Sequence, residues 1–124
     1  MIRFDREVSR KPMISPHPLQ QKITEIASYI KEHYDEHVTL DKIAKSFYIS
    51  PSYLSRSFKM LTGFTFKDYV QAIRIREAKR LLRETNMPIG RVAELVGFPY
   101  PANFNVLFKK QTGMTPLAYR KQKS

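Results

Sequence analysis

Cysteine is absent from this chain of 124 residues, which excludes a disulfide framework and the thiolate ligands of a zinc finger. Glycine is scarce, and no Gly-rich phosphate loop, serine elbow or Cys/His pair occurs. No stretch approaches the roughly 20 apolar residues needed to cross a bilayer. The opening Met1-Ile2-Arg3-Phe4-Asp5 is charged and lacks the apolar core of a signal peptide, so the cytoplasm is the expected location. Acidic residues are also few: 11 stand against 22 Lys and Arg, a net charge of +11. An excess of that size favours a polyanionic partner, either nucleic acid or an anionic membrane surface. The nearest thing to a carboxylate cluster, Glu32, Asp35 and Glu36, reads as a solvated helix end, not as the metal-binding constellation of a nuclease. We therefore expect neither an enzyme nor a cofactor.

What is present is a repeat. Phe58-Lys59-Met60-Leu61-Thr62-Gly63-Phe64-Thr65 returns as Phe108-Lys109-Lys110-Gln111-Thr112-Gly113-Met114-Thr115, and Tyr69 is answered by Tyr119. Upstream of each copy lies a short apolar-periodic segment, Leu40 to Ala44 and Ile89 to Ala93. With 42% hydrophobic residues the chain can support one modest core, or two small ones sharing a connector.

Periodicity predicts an all-α fold of about seven helices, and no segment reads as a strand. Residues 1–18, carrying Pro12, Pro16 and Pro18 without helical period, read as a linker or flexible tail whose abrupt start suggests an upstream domain. The bipartite domain spans 19–124. Ile23, Ile26, Ala27 and Ile30 mark a first helix. The first helix-turn-helix follows at about 39–63: Thr39 is an N-cap, and Ser50-Pro51 couples a capping hydroxyl to a proline at the first helical position. The helix at 51–61 should turn Leu54, Phe58 and Leu61 inward and end at Gly63. A connecting helix at about 65–85 is capped by Thr65, with Asp68 three residues on. Its expected stripe is Tyr69, Val70, Ile73, Ala78, Leu81 and Leu82, and Arg74, Arg76, Lys79, Arg80 and Arg83 form its basic exterior. The second helix-turn-helix, about 88–113, has its turn at Gly97 and a helix at 101–111, and a short last helix opens at Thr115-Pro116.

In a helix-turn-helix the second helix enters the major groove. Opposite the apolar side of helix 51–61 lie Ser52, Ser55, Arg56 and Lys59. Arg56 suits a bidentate pairing with guanine, Ser52 and Ser55 are permissive readers, and Lys59 suits phosphate. Helix 101–111 presents Ala102, Asn103, Asn105, Val106 and Lys109; the asparagines suit adenine, and Ala102 and Val106 suit either thymine methyls or protein packing. Lys109, Lys110 and the N-terminal amides at Thr39, Thr65 and Thr115 are further phosphate candidates. A connector of about 20 residues is about 30 Å long, near the roughly 34–36 Å between successive major-groove faces.

Leu40 to Ala44, Ser50 to Lys59, Arg74 to Leu82, Gly97-Phe98, Phe108-Lys109-Lys110, Thr115-Pro116 and Tyr119-Arg120 resemble the DNA-binding domain of AraC/XylS-type bacterial transcription regulators. The resemblance covers about residues 22–121. It implies two helix-turn-helix units joined by a long helix, acting on double-stranded promoter DNA. It also implies a separate sensing or oligomerisation domain, commonly N-terminal and missing here, with RNA polymerase as a further candidate partner. The family's base-reading positions fall on Ser52, Ser55 and Arg56 in the first unit, and on Pro101, Ala102, Asn103 and Val106 in the second. Val106 stands where many members carry arginine, so the first unit is expected to read sequence and the second mainly to anchor.

Three other readings are weaker. His33 and His37 are four apart, as metal ligands can be, but no third ligand has an interpretable spacing and a helix end suits a surface imidazole. A membrane-surface role would use the basic helix at 66–85, whose stripe is better explained as the seam between the two units. The alternative function is non-specific binding of RNA or DNA; RNA modules usually stack bases on exposed aromatics, whereas Phe58, Phe104 and Phe108 are expected inside, leaving Tyr48, Tyr53 and Tyr100 open.

Overall fold

The structure is a computed structural model that describes residues 18–123. The expected linker lies outside these except for Pro18, which is the first residue of a helix and not the last of a linker. Seven helices and no strand occur among the described residues: α1 Pro18–His33, α2 Leu40–Ser46, α3 Pro51–Thr62, α4 Phe66–Glu84, α5 Ile89–Leu95, α6 Pro101–Thr112 and α7 Pro116–Lys123. The fold is all-α, as expected.

Local chemistry sets most boundaries. The Thr39 hydroxyl accepts from the Lys42 amide at 3.2 Å, Ser50 from Tyr53 at 3.1 Å and Thr65 from Asp68 at 3.0 Å. Each such cap is worth about 1 kcal/mol. Gly63 and Gly113 end α3 and α6 in the left-handed region, at φ 84° and 88°.

The sequence repeat is a structural repeat to the level of single contacts. Thr62 Oγ1 donates to the Phe58 carbonyl at 2.7 Å, and Thr112 Oγ1 to that of Phe108 at 2.8 Å. Phe58 meets Tyr69 edge-on at 5.2 Å, and Phe108 meets Tyr119 at 5.4 Å, both at 75°. Two apolar cores result. The first joins α1, α2 and α3 to Phe66, Val70 and Ile73 of α4. The second joins Ile75, Ala78 and Leu82 of the same helix to Val92, Val96, Phe98, Phe104 and Phe108. The central helix is thus a shared wall.

Three expectations need correction. Leu61 is 41% exposed, because the last turn of α3 overhangs its core, whereas Ser57 is buried and lets α3 lie close to its neighbours. Ile75, left out of the expected stripe, is buried, because α4 is packed from two sides. Arg74 is not part of the basic exterior: it is half-buried, and its guanidinium points back into the fold.

Candidate nucleic-acid interface

On α3 the buried Leu54, Ser57 and Phe58 force Ser52, Ser55, Arg56 and Lys59 to the outside. Arg56 has no hydrogen bond or ion pair among the described residues, so its five donors are free to meet a ligand. It borders a shallow concavity with Ser52, Ser55 and Leu40. Lys59 is committed at the far end of the helix, where its ammonium donates to the Gly63 carbonyl at 3.2 Å.

The corresponding face of α6 is chemically poorer. Ala102 occupies the place of Ser52, Asn105 that of Ser55 and Val106 that of Arg56. Asn103 and Asn105 are exposed, and Val106 is 71% exposed and belongs to neither core. Lys109 and Lys110 are exposed in the last turns.

The helix N-termini differ in ways that spacing alone does not reveal. Thr39, Thr65 and Ser55 line one concavity of about 430 Å³, so the starts of α2 and α4 are brought together beside α3. Asp41 and Asp68 already place negative charge in the first turns there, which weakens the attraction for phosphate. Thr115 caps α7 by accepting from the Ala118 amide at 3.1 Å, with no acidic residue in the first turn. At α6 the cap position holds Tyr100, which makes no side-chain capping bond, and no acid follows. Pro101 brings no amide hydrogen and the Asn103 amide donates to the Tyr100 carbonyl at 3.1 Å, which leaves the Ala102 amide of the first turn open to an anion. The sequence signal was present, in a tyrosine where the first unit has Ser50.

His33 pairs with Glu36 at 2.9 Å and stacks on Tyr29 at a centroid distance of 4.2 Å. His37 is exposed. No three His, Cys, Asp or Glu side chains among the described residues converge as metal ligands would. No described helix is long and apolar enough to cross a membrane.

Comparison with known proteins places this geometry. The helix-turn-helix domain family matches residues 43–122. The bifunctional transcriptional activator/DNA repair enzyme AdaA of Bacillus subtilis is 36% identical over 110 residues, covering 89% of this chain and 52% of that protein. The chain spans about half the length of the curated relatives it matches, or less. Among solved structures, the C-terminal domain of AraT, a response regulator from Geobacillus stearothermophilus, superposes with a TM-score of 0.81 at 34% identity, covering 86% of this chain and 88% of that one. The DNA-binding domain of the global transcriptional factor AdpA, solved with a target DNA, gives a TM-score of 0.78 at 29% identity, covering 82% and 91%. The chain belongs to the AraC-type family of helix-turn-helix DNA-binding transcription regulators.

Proposed function

We propose that the chain binds double-stranded promoter DNA with α3 and α6 in adjacent major grooves, α3 reading bases and α6 mainly anchoring. Arg56 supplies the principal base contact, with Ser52 and Ser55 beside it, while Asn103 and Asn105 are available to adenine. Lys109, Lys110 and the uncapped start of α6 hold phosphate, supported by Lys59 and by the amides at Thr39, Thr65 and Thr115. The observation that carries this division is the pair of equivalent positions: an exposed Arg56 on α3, without a partner among the described residues, and an exposed Val106 on α6.

For the whole protein we propose a cytoplasmic regulator that adds a sensing or oligomerisation domain to this one, acts with RNA polymerase and has no catalytic role in this segment. The test is equilibrium binding of Arg56→Ala to a selected target and to random duplex. Specific affinity should fall by about 1–3 kcal/mol while random-duplex affinity changes little. An equal fall on both would remove Arg56 from base reading. Val106→Ala should leave sequence preference nearly unchanged.

One observation favours a second reading, non-specific binding of RNA or DNA. Tyr48, Tyr53 and Tyr100 are exposed near the starts of the two recognition helices, where bases can stack. Competition by single-stranded RNA as effective as that by the selected duplex would favour it.

A further inference from the structure

The two cores meet at one residue of α4. Between Ile73, which faces the first core, and Ile75, which faces the second, stands Arg74. Its Nε donates to the Tyr34 carbonyl at 2.7 Å, and its Nη2 donates to the Glu36 carbonyl at 2.9 Å. Both acceptors lie just beyond the end of α1, where carbonyls lack helical partners and a cation is favoured. The guanidinium carbon also sits over the Phe98 ring, 5.8 Å from its centroid, within cation–π range.

Gly97 closes the contact from the second unit. A Cβ there would stand 2.8 Å from Arg74 Nε and 3.0 Å from the Tyr34 carbonyl oxygen. The α5–α6 turn therefore lies directly against the guanidinium, and only glycine allows the approach. The Tyr34 ring completes the joint by packing against both cores. One side chain thus ties together the end of α1, the middle of the connecting helix and the turn that leads into α6.

We infer that Arg74 is a positioning residue that fixes the angle between the two helix-turn-helix units, and so selects the number of base pairs the chain accepts between its two binding blocks. The inference rests on the two-groove reading proposed above. One added base pair moves the second block by about 3.4 Å along the duplex and by about 35° around it. Two heads locked at one angle reject that shift, whereas two heads joined by a compliant hinge absorb it. Arg74 would then govern spacing and not base identity. A lysine cannot replace it, since a single ammonium lacks the fixed fork that holds two carbonyls at once.

The test measures affinity for a selected duplex, for the same duplex with one base pair added or removed between the blocks, and for a duplex with one block scrambled. The native chain should prefer its own spacing by about tenfold or more, the equivalent of 1.4 kcal/mol. Arg74→Gln and Arg74→Lys should both flatten this preference to within about threefold, while affinity for the single-block duplex stays within about twofold. Thermal melts and circular dichroism confirm that each variant is folded, and Arg74→Lys covers the case in which Arg74→Gln is not. A steep preference in folded Arg74→Lys, with affinity lowered alike on every duplex, would overturn the inference and leave Arg74 a fold or charge contact. A flat spacing profile in the native chain would overturn the inference together with the two-groove reading.

Discussion

Tyr48 and Gly97 occupy the same place in the two helix-turn-helix turns, and both lie in the left-handed region, at φ 59° and 106°. The turns are otherwise alike: the Ile49 amide donates to Ala44 at 3.0 Å, and the Phe98 amide donates to Ala93 at 2.9 Å. Only the second turn has the residue its backbone prefers. Tyr48 is 92% exposed, so little packing offsets a backbone cost of about 1–2 kcal/mol. Tyr48→Gly should therefore stabilise the fold by about 0.5–1 kcal/mol in denaturant unfolding, after allowing for the greater chain entropy of glycine. A loss of stability would mean that the Tyr48 ring makes a contact absent from this structure.

At Gly97 the opposite sign is expected. Alanine there combines backbone strain of roughly 1–3 kcal/mol with a Cβ closer than 3 Å to Arg74 and against the fixed Tyr34 carbonyl. Gly97→Ala should lower the unfolding free energy by about 2 kcal/mol or more. A neutral result would show that the joint at Arg74 is looser than its distances imply.

Lys109 and Lys110 separate anchoring from reading. Replacing either with alanine should weaken binding about equally on every duplex. For each phosphate that is no longer neutralised, the slope of log affinity against log salt should become shallower by about 0.9. A change confined to the preferred sequence, with the salt slope intact, would make that lysine a base reader.

The His33–Glu36 pair predicts a pH effect. The hydrogen bond to Glu36 holds the His33 imidazolium above its ordinary value of 6.5, outweighing partial desolvation, with the nearby Glu32 and Asp35 adding to the shift. A group whose folded pKa is raised stabilises the fold fully below its unfolded pKa, and loses that contribution as pH rises through the folded value. Glu36→Gln should lower the NMR titration midpoint of His33. An unchanged midpoint would show that the pair is not formed in solution.

How legible these features were depends on how local they are. Thr39, Ser50 and Thr65 were readable because a cap needs only the amide three residues on. Phe58 and Phe108 were readable because the repeat marks them twice. Leu61 misled because helical spacing continues beyond the point where the core ends. Arg74 was hidden for a different reason. Its acceptors lie 40 and 38 residues away, so periodicity assigns a charged residue to solvent when only distant carbonyls make its burial tolerable. On the candidate interface the outer face of α3 followed from spacing. The open Ala102 amide at the start of α6 depends on a side-chain bond that Tyr100 does not make.

Selection of binding sites from a random duplex library, at near-physiological salt, decides whether two heads of unequal specificity read one duplex. Two enriched blocks about one helical turn apart, with sharper base preference in the block under α3, are the predicted result. Salt-sensitive binding with no enriched sequence would contradict it and leave a non-specific polyanion binder.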